Sequence, residues 1–268
     1  MPPIDVRDLV KRYDDVTAVD GVTFAVEAGS VTALLGGNGA GKTTTIAMLL
    51  GLVLPTSGEV RVFGVDMTRD RYQVLHRMNF QSPYVNIPMR LTVRQNLTTF
   101  ARLYGVVDPA ARIAELADEL RLHEFLERPA GDLSSGQKTR SALAKALING
   151  PELLLLDEPT ASLDPDTADW VRTTLLDYKK RRGATLLLAS HNMTEVERMA
   201  DRVLILNRGR IVEDGAPGEL LSRYGRGSLE DVFLDIARGR RKDGAGPALA
   251  GAGEAAADVS GERSGNAA

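Results

Sequence analysis

Two short stretches carry the residue types that chemistry on a phosphate requires. Gly36, Gly37, Asn38, Gly39, Ala40, Gly41, Lys42, Thr43 and Thr44 follow an apolar run and precede helix-forming residues. Residues 36–43 fit the pattern G-x-x-x-x-G-K-[ST]. A backbone with so few Cβ atoms can wrap an anion and aim several N–H groups at it, and the helix that follows adds its positive end. In this reading Lys42 neutralises the β and γ phosphates of a nucleotide and Thr43 offers its hydroxyl to Mg²⁺. A flexible Gly-rich turn with an exposed lysine has the same composition, but the strand before and the helix after favour the cradle. The second stretch is LLLLDEP, Leu153 to Pro159. Four leucines hold a strand in the interior while Asp157 and Glu158 emerge at its carboxyl end, where open α/β sheets bind ligands. Asp157 is assigned to the metal and Glu158 to polarising the attacking water. Two acids capping the next helix or loop are the alternative, which the phosphate loop disfavours.

Two further segments belong with these. DLSSGQKTRSALAKALING predicts a helix starting near Ser134 or Ser135, with Leu143 and Leu147 one turn apart. Its start offers hydroxyls, Gly136 and free N–H groups suited to phosphate, although an ordinary N-cap has the same residues. LLLASHN sets His191 just past a buried strand, where an imidazole can hydrogen-bond a γ-phosphate. A lone histidine is more often structural, so His191 counts only in this company.

The elements that must hold these residues are legible in outline. DVRDLV, VTFAV, SVTALLG and GEVRVFG read as strands, and KTTTIAMLLGLV as a helix stopped by Gly and Pro signals. From about Tyr72 to Asn149 the pattern is helical, with Ile113, Leu116, Ala117 and Leu120 on one face. Strands return in ELLLLDEP, ATLLLAS and RVLILN, separated by helical stretches, which predicts a buried parallel sheet. LILNRGRIVEDG predicts a closing hairpin that turns at Asn207–Gly209. The segment 237–268, Gly/Ala-rich with a basic cluster at Arg238, Arg240, Arg241 and Lys242, predicts a disordered tail.

Composition narrows the classes. The chain has 268 residues and no cysteine, which excludes disulfides and thiolate metal sites. A net charge of −3 argues against nucleic acid as the main partner. No run approaches the roughly 18 apolar residues of a membrane span, and the first residues lack the apolar core of a signal peptide. Membrane contact is therefore expected only through a partner.

The set Gly36–Thr43, Gln81, LSSGQ at 133–137, LLLLDEP, ASLD at 161–164 and His191 resembles the nucleotide-binding domain of an ATP-binding cassette (ABC) protein, over roughly residues 3–236. The LSSGQ segment makes the match specific, because other phosphate-loop families lack it. The resemblance implies an α/β fold. A phosphate-loop NTPase core with a mainly parallel sheet would carry an N-terminal antiparallel β subdomain and an inserted α-helical subdomain over about 82–149. It implies ATP and Mg²⁺ as cofactors, with Thr43, Gln81 and Asp157 around the metal. Tyr13 then resembles the aromatic that stacks on adenine, and Gln81 the glutamine linking the metal site to the helical subdomain. Leu163 and Asp164 resemble the loop that crosses a dimer interface. Each nucleotide would lie between the loop of one domain and Ser134, Ser135, Gly136 and Gln137 of another, so a head-to-tail homodimer is implied. Two positions depart from the family: Gly37 stands where proline is usual, and Ser135 where a glycine is.

Within the family, the single phosphate loop argues against the two-cassette translation factors. The interval of about 120 residues between loop and acidic pair, without heptads, argues against the DNA-repair type. LTVRQNLTTFARLYGV and SLEDVFLDIARG resemble the exporter branch whose membrane subunits are separate chains. Importers more often end in a folded regulatory domain. The resemblance thus implies a peripheral ATPase subunit at the cytoplasmic face of the membrane, its permease meeting a groove in PYVNIPMRLTVRQNLTTF. A soluble ATP-driven switch acting on a protein or nucleic acid is the alternative.

Overall fold

The structure, a computed structural model, describes residues 1–82 and 87–239. In chain order the elements are β1 (Ile4–Tyr13), β2 (Val16–Val26), β3 (Val31–Leu35), α1 (Lys42–Leu49), β4 (Ser57–Val62), β5 (Val65–Asp66) and β6 (Met78–Gln81). Three helices follow, α2 (Val93–Leu103), α3 (Pro109–Leu120) and α4 (Ser135–Leu147). The remainder is β7 (Leu153–Asp157), α5 (Pro165–Arg182), β8 (Thr185–Ser190), α6 (Met193–Met199), β9 (Arg202–Asn207), β10 (Arg210–Gly215), α7 (Pro217–Tyr224) and α8 (Leu229–Ala237).

The strands form two sheets. One has the order β2-β1-β4-β5 and is antiparallel throughout. The other has the order β10-β9-β3-β8-β7-β6, parallel except for the β9/β10 hairpin at its edge. This is the mixed α/β fold expected. Its central strands read as continuous apolar runs because both faces are covered. Val31, Ala33 and Leu35 of β3, Leu154 and Leu156 of β7, and Leu186 and Leu188 of β8 pack on the helical side. Leu34, Leu153, Leu155 and Leu187 face a second core shared with α1 and the antiparallel sheet. The parallel strands therefore end together, with β3, β7 and β8 delivering Gly36, Glu158 and His191 to one edge.

One part of the helical reading is corrected. Within the Tyr72–Asn149 segment, Met78–Gln81 is a strand, paired parallel with Leu153–Leu156. Four residues containing Asn and Gln carry no strand period, and pairing with β7 decides the conformation. Asn79 is held there by its own network: its amide donates to Asn149 Oδ1 at 2.8 Å, and its Oδ1 accepts from Tyr104 Oη at 3.1 Å. The helical face of α3 matches its pattern, with Ile113, Leu116, Ala117 and Leu120 buried. The hairpin turn falls at Arg208 and Gly209, both at positive φ, the two-residue turn that suits strand twist. Of the segment read as a permease-facing groove, Pro83–Asn86 lies outside the described residues, as do 240–268 of the expected tail.

Candidate functional site

The phosphate loop begins where β3 leaves the sheet and ends at the first turn of α1. Two glycines are required by close approach. A Cβ on Gly36 would stand 2.6 Å from the Leu206 carbonyl oxygen, and one on Gly41, at φ 102, would stand 2.5 Å from that of Ala18. The turn of the β9/β10 hairpin closes the other side, where Gly209 N–H donates to the Ala40 carbonyl at 3.1 Å. The first-turn amides of Lys42, Thr43 and Thr44 have no carbonyl one turn earlier in the helix. Lys42 is buried and folds back, donating to the carbonyls of Gly36 at 2.6 Å and Gly37 at 3.2 Å. Burial pulls its pKa down, while the charges of Glu158 and Asp157 pull the other way. Lysine and both acids thus share one electrostatic site.

Thr43 and Asp157, 114 residues apart, meet there: Thr43 Oγ1 donates to Asp157 Oδ2 at 3.1 Å. Burial raises the Asp157 pKa, against the Thr43 hydrogen bond. Gln81 ends β6 beside Leu156, so it lies next to the strand end that carries Asp157. Its side chain is buried, and Oε1 has no hydrogen-bond partner among the described residues. An orphaned buried oxygen on the strand next to the one that carries Asp157 fits the chemistry of a hard divalent cation, which takes oxygen ligands and completes its shell with water and phosphate. No cluster of three His, Asp or Glu residues capable of holding a metal occurs among the described residues.

Glu158 leaves β7 with φ 52, a sparsely populated conformation for a residue with a side chain. Its N–H donates to the Ala189 carbonyl at 2.8 Å, and its carbonyl accepts from Ala161 N at 3.1 Å. This reversal aims the carboxylate at His191, whose Nδ1 lies 2.6 Å from Oε1. The glutamate side chain is 15% exposed and the imidazole 60%. A base whose free edge meets solvent and a histidine beside it can orient water and contact a terminal phosphate.

Glu195 is a residue the sequence reading missed. It is 1% exposed and accepts from Thr160 Oγ1 at 2.6 Å and from Ser190 Oγ at 2.8 Å. Thr160 lies two residues after Glu158, and Ser190 directly precedes His191, so one buried carboxylate ties together the two segments that carry the pair. The available signal was N-x-x-E: Asn192 caps α6 by accepting from Glu195 N at 3.1 Å.

The remaining candidates stand apart. Ser134 caps α4, its Oγ accepting from Gln137 N at 3.3 Å while Gln137 Oε1 accepts from Ser134 N at 3.1 Å. Ser134, Gly136 and Gln137 line an open groove with Arg121, Arg140 and Trp170, and no residue of 36–44 or of the acidic pair borders it. Ser135 is exposed on the first turn of α4. Asp164 caps α5, accepting from Thr167 N at 2.9 Å, and that bond lowers its pKa. Tyr13 is 45% exposed at the tip of the β1/β2 hairpin, with Lys11 Nζ 4.8 Å from its ring centroid. The same hairpin supplies the Ala18 carbonyl that crowds Gly41.

Residues 19–161 match the family model described as ABC transporter. The Nod factor export ATP-binding protein I of Burkholderia orbicola (strain AU 1054) is 40% identical over 223 residues, 82% of this chain and 72% of that protein. Among solved structures, an ATP binding subunit of an ABC transporter aligns with TM-score 0.79 and 28% identity, covering 87% of this chain and 99% of that one. So does cbiO1 from Clostridium perfringens, described as part of the ABC transporter complex cbiONQ, with TM-score 0.74 and 28% identity over 88% and 96% of the two chains.

Proposed function

The chain belongs to the ABC transporter family of ATP-hydrolysing subunits, and from that premise we propose that it powers export through a separate membrane permease, as a head-to-tail homodimer with two shared ATP sites. The observation that carries the nucleotide site is the meeting of Lys42, Thr43, Asp157 and Glu158 at the ends of β3 and β7.

The residues divide the work by position. Amides of the loop and of the first turn of α1 hold the phosphates, and Lys42 exchanges the carbonyls of Gly36 and Gly37 for phosphate oxygens. Thr43, Asp157 and Gln81 would hold Mg²⁺, which supplies Lewis-acid polarisation of the phosphate oxygens. Glu158 orients the attacking water and takes its proton, while His191 meets the γ-phosphate. Tyr13 offers its ring to the adenine.

The groove at Ser134 supports the shared site. A helix start with hydroxyl, glycine and free amides, set away from the loop of its own chain, suits the phosphate of another chain's nucleotide. The family match and the named exporter relative support a permease partner. No described helix is long and apolar enough to cross a membrane. In this reading the chain sits at the cytoplasmic face of the membrane, held there by the permease. The Lys42→Ala variant tests the nucleotide site, and loss of ATP binding in equilibrium titration is expected. Parent-like affinity removes the loop assignment. Co-purification with a multi-span membrane protein tests the transport half, and capture of only soluble partners or nucleic acid turns the reading to the switch.

A further inference from the structure

The sheet stops short of the residues proposed for the chemistry. Pairing of β7 with β8 ends at Asp157 and Ala189, one residue before Glu158. The last backbone link is the Glu158 N–H to the Ala189 carbonyl, at 2.8 Å. The turn that follows is strained, since Glu158 at φ 52 and Ser162 at φ 61 both lie in the left-handed region without being glycine. Such backbone persists only where its surroundings over-determine it. Bonds within the turn are long: Ala161 N–H reaches the Glu158 carbonyl at 3.1 Å, and Leu163 N–H that of Thr160 at 3.3 Å. The short bond runs outward, from Thr160 Oγ1 to Glu195 Oε1 at 2.6 Å.

Glu195 is itself a fixed point. It stands in the first turn of α6, where Asn192 Oδ1 accepts its N–H at 3.1 Å, and the next residue, Val196, is fully buried. Its other oxygen, Oε2, accepts from Ser190 Oγ at 2.8 Å, and Ser190 Oγ in turn accepts from Asn192 N–H at 3.0 Å. Both carboxylate oxygens are thus engaged, one on the turn that carries Glu158 and one on the residue before His191. The side chain lies too deep to meet water or nucleotide, so any part it plays in hydrolysis is played through that pair. An apolar side chain would fill the place without the cost of burying an acid, but it could not bridge two hydroxyls.

We infer that Glu195 is a positioning residue for hydrolysis: by bridging Thr160 and Ser190 it fixes Glu158 against His191, and the rate of the chemical step depends on that bridge while nucleotide affinity does not. The inference rests on the reading of Glu158 as the base that orients water. A displacement of about 1 Å at such a base costs on the order of 10²-fold in rate.

Single-turnover phosphate release by the full chain, with Mg–ATP labelled at the γ-phosphate, reads the chemical step, and ADP titration reads binding. Thr160→Val removes the hydroxyl and keeps the shape. It is expected to slow the step about tenfold, the rate equivalent of one hydrogen bond to a carboxylate, with ADP affinity within about twofold of the parent. Thr160→Ser restores the hydroxyl and should bring the rate back to within about threefold. In the Glu158→Gln background the base is already gone, so Thr160→Val should cost less than about twofold. Glu195→Gln, with one acceptor oxygen in place of two, should slow the parent at least about threefold and follow the same rule beside Glu158→Gln, which keeps the test open if Thr160→Val fails to fold. An equal loss in both backgrounds overturns the inference, because a general weakening of the fold would lower the rate whether or not Glu158 is present. So does a loss of ADP affinity in step with the rate. A Glu158→Gln protein that hydrolyses at the parent rate overturns the reading of the base and this inference with it. Arrest by Glu158→Gln, with parent rates in the Thr160 and Glu195 variants, overturns the inference alone.

Discussion

Glu158→Gln separates binding from chemistry. The carboxylate uses one oxygen on His191, 2.6 Å away, and keeps limited access to solvent. Glutamine retains the size and one acceptor oxygen, so the contact with His191 and the left-handed backbone at this position survive. Thr43 and Asp157 are untouched, and the cradle stays intact. What disappears is the capacity to take a proton from water. General-base contributions of about 10²–10⁴-fold correspond to roughly 3–5 kcal/mol of barrier. Phosphate release at saturating Mg–ATP should fall by that factor, while ATP affinity holds or tightens because one anion has left the site. Unhydrolysed ATP would then hold two chains together, so size-exclusion chromatography with light scattering should show a dimer with ATP and Mg²⁺ and a monomer with ADP. Hydrolysis at the parent rate refutes the assignment of Glu158. Arrested hydrolysis without an ATP-dependent dimer keeps Glu158 but removes support from the shared site, unless the dimer forms once a permease is present.

Tyr13→Ala should weaken ATP and ADP alike, by the roughly 1–3 kcal/mol of a base–aromatic stack; titration showing a loss for ATP alone would place the ring near the γ-phosphate instead. At Ser134 the cap and the phosphate contact can be separated: Ser134→Asp keeps an N-cap acceptor but sets a negative charge toward phosphate. The ATP dimer of the Glu158→Gln protein should dissociate on adding Ser134→Asp while its melting midpoint changes little, and an unchanged dimer would count against the groove. Glu195→Gln reports on a buried acid whose pKa is raised by burial, and further by the charge of Glu158. A raised folded-state pKa gives stability that is complete below the unfolded value and lost as pH rises through the folded one. The melting midpoint of Glu195→Gln relative to the parent should therefore climb as pH rises from the ordinary glutamate range. A difference that is flat with pH would show that Glu195 is not strained by its charge.

How legible the site was depended on whether local chemistry or tertiary pairing fixed each residue. The loop and the acidic strand end were readable because each carries its own reason: glycines where a Cβ would strike Ala18 and Leu206 carbonyls, and four leucines buried on both faces of β7. Their meeting through Thr43 and Asp157 followed from strand order, since β3 and β7 flank β8 in parallel. Gln81 was readable only through the family resemblance. It sits on a four-residue strand that exists because β7 offers an edge, and no period in the sequence announces it. Glu195 was visible as a helix-capping residue, but its role in tying Thr160 to Ser190 arises from the spacing of β7 and β8, which no single segment encodes.

The balance of charge gives the proposed site a use for a cation as well as a cradle. One lysine, Lys42, faces two carboxylates, Asp157 and Glu158, in a setting where burial already opposes ionisation of Lys42 and Asp157. A phosphate oxygen brought within about 4 Å of either acid meets a repulsion of about 4 kcal/mol at an effective dielectric near 20. Lys42 can offset one such term, and the loop amides contribute partial charge, but the second acid remains. Moving Asp157 away would relieve the repulsion, yet its hydrogen bond to Thr43 and its place in β7 hold it at the strand end. Thr43 and Asp157 meet at the strand end, and the buried Oε1 of Gln81, on the neighbouring strand, has no partner among the described residues. In the proposed reading, a cation held at Asp157 would turn that carboxylate from an obstacle into a ligand. Glu158 would then face the phosphate without a counter-ion, the arrangement that suits a base for water.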